Sequence, residues 1–151
     1  MNGLKKLDNK KRIVLIAHDN KKKELGEWVA EHKTELVKHE LYATGTTGKI
    51  IEDMSGAPVT KLMSGPLGGD QQVGSMIAEG KLDVMIFFWD PMEAQAHDSD
   101  VKALLRLGAV WNVPLACNRA TADFLITSPF MSGAYDVVTP DYAAYLNRKI
   151  D

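Results

Sequence analysis

The sequence predicts an α/β fold: a single Rossmann-like domain in three α/β/α layers, around an open, mainly parallel sheet of five or six strands. Three observations predict it. Short β-rich runs alternate with helical patterns along the whole 151 residues, the pattern of a parallel sheet covered on both faces. Within Asp83–Trp89 the run from Val84 onward is apolar without alternation, as a central strand buried on both sides requires. Polar and glycine-rich segments follow the carboxyl ends of the strands, the edge on which open α/β sheets gather their ligands.

The opening segment from Lys5 to Arg12 is basic, short and free of interleaved aromatics. Residues 1–11 are therefore read as a solvated basic tail, and residues 12–151 as the domain. The first strand is Arg12–Ala17. Leu25, Trp28 and Val29 then repeat at helical spacing. Strands follow at Glu40–Ala43 and Val59–Met63, and Asp83–Trp89 is the fourth. After it Val101, Leu104, Leu105 and Gly108 mark one face of a helix. Pro114–Cys117 and Asp136–Val138 supply the last strands, and a final helix is expected over Tyr142–Ile150. No internal repeat and no linker rich in Pro, Gly and Ser interrupts the pattern.

A formal net charge of −2 gives no general attraction to nucleic acid or anionic membrane, and neither is expected as a partner. One cysteine, Cys117, excludes an intrachain disulfide framework and fits a reducing compartment. It lies in an apolar run, as a strand residue rather than a nucleophile. The apolar run Ile13–Ala17 is too short for a signal-peptide core, and no stretch approaches a membrane span. A cytoplasmic location is the expectation.

The segment Leu41-Tyr42-Ala43-Thr44-Gly45-Thr46-Thr47-Gly48 runs from a strand through hydroxyls and glycines into a helix. Glycines let the backbone approach an anion, while helix N-terminal N–H groups and threonine hydroxyls donate to it without a competing charge. This is a phosphate cradle in sequence. A second turn, Ser64-Gly65-Pro66-Leu67-Gly68-Gly69-Asp70, also joins strand to helix but ends in a carboxylate. Asp70 suits a helix cap and equally a base held near a small substrate.

His18-Asp19 closes the first strand, as a cap beside an incidental histidine or as an acid/base pair at the crevice floor. Lys22, one turn on, can meet an anion as a point charge. Asp90-Pro91 ends the most buried strand, and His97-Asp98-Ser99-Asp100 precedes the next helix. One of Asp98, Ser99 and Asp100 is expected to be its N-cap. Three His/Asp groups here also raise the question of a metal, but no close His pair and no cysteine partner accompany them.

Ile16-Ala17-His18-Asp19, Ala43 to Gly48, Ser64 to Gln72, Phe88-Trp89-Asp90-Pro91 and His97 to Leu104 together resemble the methylglyoxal synthase family, in order and spacing, from about Arg12 to Tyr145. The resemblance implies elimination of phosphate from dihydroxyacetone phosphate to give methylglyoxal, with no metal and no organic cofactor. It makes Asp70 the base, His97 and Asp100 proton carriers, and His18, Asp19 and Asp90 supporting groups. It gives the phosphate to Lys22, Thr44, Gly45, Thr46, Thr47, Ser64 and Gly65, with a basic residue near the C-terminus. That residue is Lys149 by ungapped match or Arg148 by its capacity for a bidentate grip. The resemblance also implies a homohexamer, inhibited allosterically by inorganic phosphate. The alternative is a non-catalytic anion-sensing module of the same fold, similar to the regulatory domain of carbamoyl phosphate synthetase. Such a module has no use for Asp70, Asp90, His97 and Asp100 together.

Overall fold

The computed structural model describes residues 3–94 and 97–150. In chain order its elements begin with β1 (Gly3–Leu7), β2 (Arg12–Ala17), α1 (Lys22–Glu31), α2 (Lys33–Leu36), β3 (Glu40–Thr44) and α3 (Gly45–Ser55). There follow β4 (Thr60–Leu62), α4 (Gly69–Ala78), β5 (Val84–Phe88), α5 (Asp98–Val110) and β6 (Leu115–Ala116). The chain closes with α6 (Arg119–Thr127), α7 (Pro129–Ser132), β7 (Tyr135–Thr139) and α8 (Ala143–Leu146).

Five strands form one parallel sheet in the order β4-β3-β2-β5-β6. Successive residues of a strand point to opposite faces, and β2 shows what that does to the core. Ile13, Leu15 and Ala17 pack with Leu25, Trp28 and Val29 of α1, Ile51 of α3, and Ala122 and Ile126 of α6. Val14 and Ile16 face the other way, toward Val73 and Ile77 of α4 and Val101 and Leu104 of α5. The sheet is thus the middle of three layers. β5 is buried at every position, which is why its sequence shows no alternation. From β2 the chain builds outward through β3 and β4, and from β5 it builds the other way to β6. The crevice between these arms, at the carboxyl edge, is where a ligand fits.

Three expectations are corrected. Within the segment read as a solvated tail, residues 3–11 are not one: β1 pairs antiparallel with β7, from Gly3 opposite Thr139 to Leu7 opposite Tyr135. Leu7 and Lys11 are buried. Lys6 and Lys10 are exposed, but the other two lysines of the segment bond to distant parts of the chain. Lys5 Nζ donates to the Leu82 carbonyl at 2.9 Å, and Lys11 Nζ to that of Gly133 at 2.7 Å. The run at Asp136–Val138 is therefore a strand of this separate ribbon, not a sixth strand of the main sheet. The final helix is a single turn, Ala143–Leu146, held where Tyr142 donates its hydroxyl to the Val110 carbonyl at the end of α5. No helix among the described residues is long and apolar enough to cross a membrane.

Candidate active site

Four strand ends build one cleft. β2 delivers His18, Asp19 and, one turn later, Lys22; β3 delivers Thr44, Thr46 and Thr47; the turn after β4 delivers Ser64, Gly65, Pro66 and Asp70; and the loop after β5 returns as His97. The enclosed space is about 150 Å³, against roughly 300–1,000 Å³ for pockets that take drug-sized ligands. It suits a ligand of a few carbons.

Backbone packing shapes the cleft. Gly45 has φ +27°, and a Cβ there would lie 2.6 Å from Ser64 Cα. Its N–H already donates to the Met63 carbonyl at 3.2 Å, so Gly45 joins the two turns and does not itself donate to an anion. The next N–H groups in the first turn of α3, at Thr46 and Thr47, have no partner within the helix. Thr44 and Thr47 are buried. Gly68 takes φ +114°, and Gly69 is excluded from carrying a side chain because its Cβ would lie 2.0 Å from the Met63 carbonyl oxygen. The Ser64 carbonyl accepts the N–H groups of Leu67 at 3.0 Å and Gly69 at 2.9 Å. This tight turn sets Asp70 in the first turn of α4.

Asp70 is 1% exposed. Its Oδ2 meets His97 Nδ1 at 2.5 Å, while Oδ1 is buried with no hydrogen-bond partner. A Cβ at Gly65 would fall 3.0 Å from His97 Cε1 and 3.2 Å from Asp70 Oδ1, so the missing side chain keeps space open beside both. His18 is also buried, and its ring meets that of His97 edge-on with centroids 5.5 Å apart. Its Nδ1 accepts the Asp90 N–H at 3.0 Å, which puts the ring proton on Nε2. Nε2 is buried and unpartnered. Burial, followed by the nearby His97, pushes the His18 imidazole below its ordinary value. His18 is therefore a neutral ring with one N–H left to give. Leaving such a donor, and a carboxylate oxygen, buried without partners costs stability, and a ligand that pairs with both recovers it.

The remaining predicted residues fall behind or beyond this surface. Asp90 does not line the cleft: its Oδ1 accepts the Met92 N–H at 3.1 Å and its Oδ2 accepts Asn20 Nδ2 at 3.2 Å. Asn20, which the sequence did not single out, also donates to Glu93, so it ties the loop after β2 to the loop after β5. A lone amide in a polar run carries no local signal for that role. Asp100 lies in the first turn of α5 outside the cleft lining, and its N–H donates to the His97 carbonyl at 2.9 Å. The N-cap of α5 is His97, whose side chain makes no capping bond. The expected cap from Asp98, Ser99 or Asp100 is thus corrected: Asp98 and Asp100 lie inside the first turn, where the helix dipole favours a carboxylate.

Arg148 and Lys149 do not line the cleft. Arg148 stacks on the Tyr145 ring at 3.6 Å and donates to the Tyr145 carbonyl at 2.6 Å. This segment sits past the C-terminal end of α5, whereas His97 begins that helix. Cys117 is half-buried just past β6, and burial pushes its thiol up. Among the described residues no group of three or more His, Cys, Asp or Glu is placed to hold a metal.

A family model described as "MGS-like domain" matches residues 24–117. A methylglyoxal synthase of Saccharophagus degradans is 59% identical over 143 residues, covering 95% of this chain and 93% of the relative. One of Coxiella burnetii is 57% identical over 140 residues, covering 93% of this chain and 98% of the relative. The crystal structure of methylglyoxal synthase from Elizabethkingia anophelis NUHP1 superposes with a TM-score of 0.94 at 58% identity, covering 99% of this chain and 98% of that one.

Proposed function

The chain belongs to the methylglyoxal synthase family and is a carbon–oxygen lyase; from that premise we propose how its residues eliminate phosphate from dihydroxyacetone phosphate. The observation that carries the reading is the buried Asp70 carboxylate, with Oδ2 on His97 and Oδ1 unpartnered at the cleft. An anion sensor gains nothing from that arrangement.

The phosphate takes the end of the cleft formed by Lys22, Thr44, Thr46, Thr47, Ser64 and Gly65. Asp70 Oδ1 removes a proton from the hydroxymethyl carbon, and the electron pair moves onto the carbonyl oxygen as the enediolate forms. His18 Nε2–H donates to that oxygen, where charge develops. His97, with Nδ1–H on Asp70, presents Nε2 as an acceptor, takes the proton of the terminal hydroxyl and returns it to the central oxygen. The carbon–carbon double bond shifts and the C–O bond to phosphate breaks; the departing phosphate takes up a proton as Asp70 releases the one it removed, and the freed enol tautomerises to methylglyoxal. Fixing the phosphate end so that this C–O bond stands perpendicular to the enediolate plane favours expulsion over reprotonation.

Asp90 acts through His18, by holding Nδ1 as an acceptor. Asp100 acts through the turn that carries His97. Asp19 acts through Lys22, whose ammonium it pairs. The same reading includes a cytoplasmic homohexamer inhibited by inorganic phosphate. Within one chain Arg148 and Lys149 stand away from the cleft, so in this reading a contact between either and the phosphate crosses a subunit boundary.

The test is an assay of both products from dihydroxyacetone phosphate, in EDTA. Equimolar methylglyoxal and phosphate, at a rate EDTA does not change, is expected. Loss of activity restored by a divalent ion defeats the metal-free mechanism, and phosphate binding without turnover favours the sensing module.

A further inference from the structure

Lys22 is the one lysine or arginine among the residues that line the cleft. It is not free: its Nζ donates to Asp19 Oδ1, three residues back. The pairing follows from the local fold, because a single 3-10 turn over Asp19–Lys21 leads directly into α1 at Lys22. The partners differ sharply in exposure. The Lys22 side chain is 18% exposed and faces the cleft, whereas that of Asp19 is 89% exposed.

We infer that Asp19 is a resident counter-ion that pairs with Lys22, yields it to phosphate, and thereby weakens phosphate binding. This rests on the reading of the cleft as a phosphate site. An arriving phosphate carries close to two negative charges and meets the Asp19 carboxylate at the one full cation that this chain's cleft lining supplies. Asp19 is held by little besides that cation, so it rotates into water while the better-packed Lys22 stays. The exchange lowers affinity for substrate and for released phosphate alike. Tight ground-state binding of the phosphate group adds nothing to the chemical step once substrate is saturating, and phosphate that stays bound blocks the next turnover. The carboxylate therefore trades ground-state affinity for release.

The experiment is calorimetric titration of the protein with inorganic phosphate at low and high salt, for wild type and Asp19→Asn. Asp19→Asn should bind phosphate about two- to fivefold more tightly at low salt, the scale of an exposed ion pair, and the gain should shrink at high salt. Carbon-13 NMR of the Asp19 carboxyl supplies a second readout. The hydrogen bond and charge of Lys22 hold that carboxyl below its ordinary value, so its titration should move upward when phosphate saturates the protein. Unchanged or weaker phosphate binding in Asp19→Asn overturns the inference, as does an Asp19 titration indifferent to phosphate. Wild-type protein that binds no phosphate defeats instead the reading of the cleft on which it rests.

Discussion

The two ends of the parallel sheet each bury a carboxylate, and they treat it in opposite ways. At the amino edge Asp83, 6% exposed, is saturated. Its Oδ2 accepts the Arg12 N–H at 2.8 Å and Arg12 Nε at 3.2 Å. Its Oδ1 accepts Arg12 Nη2 at 3.0 Å and pairs with Lys5 at 3.2 Å. Burial works to raise the Asp83 carboxyl, but the hydrogen bonds and charge of Arg12, helped by Lys5, prevail and hold it below the usual carboxylate range. At the carboxyl edge Asp70 has one partner and one orphaned oxygen, beside a histidine with an orphaned nitrogen. Saturated, a buried charge fastens strands together. Left incomplete, the same group stores an unmet interaction for a ligand.

The largest test of that contrast is Asp70→Asn. Removing a base whose second oxygen is unpartnered should leave the fold intact while lowering kcat by about 10²–10⁴. Solvent exchange of the substrate proton should vanish with it. Circular dichroism and deuterium incorporation check both halves, and exchange at the wild-type rate would take the base away from Asp70.

Asp83→Asn should do the reverse. Breaking a buried ion pair costs about 3–5 kcal/mol, and the low end applies because Arg12 is a third exposed. Urea unfolding should register that loss, while kcat per folded molecule stays near wild type. A variant as stable as the parent would show that saturation at this edge contributes nothing.

Thr47→Ala probes a smaller effect. It should weaken a phosphate-bearing enediolate analogue by roughly 0.5–1.5 kcal/mol for a neutral bond, or 1.5–3 for a charged acceptor. Competition binding measures it, and unchanged affinity would move the phosphate away from the threonine turn.

The mildest expectation concerns acid. His18 at one edge and His39 at the other are both pushed below their ordinary value by burial, with His97 and Lys11 respectively adding to it. Each accepts a backbone N–H at Nδ1, from Asp90 at 3.0 Å and from Lys11 at 2.8 Å. The unfolded chain takes up protons near pH 6.5, whereas the native rings resist until lower pH. Stability contributed by these rings is therefore present above 6.5 and lost as pH falls from there toward the native values. Urea midpoints measured from pH 8 to pH 5 should fall in that window, and His39→Gln should flatten part of the decline.

The same contrast explains what the sequence made legible. Site residues come in contiguous strand–turn–helix pieces, such as Thr44 to Thr47 and Ser64 to Asp70. Each piece states its geometry locally, and the shared carboxyl edge assembles them. The amino edge is written in pairs far apart: Lys11 with His39, Arg12 with Asp83, β1 with β7. Nothing near Lys5 or Lys11 distinguishes a lysine that closes a distant strand end from one in water. The sequence singles out Asp90 as a site residue, but its hydrogen bond to His18 is made through the backbone N–H, which no side-chain pattern encodes. The capping expectation after the central strand failed for a similar reason, since His97 already fills the N-cap position while its ring is turned to Asp70.

Where Gly45 lies against Ser64 and Gly69 against the Met63 carbonyl, the turn after β3 and the turn after β4 are wedged into each other without an intervening side chain. Neither turn can loosen alone, because each is the other's wall. On heating, the anion cradle should then belong to the same cooperative unit as the sheet, so that ligand affinity persists up to the melting transition and disappears with it.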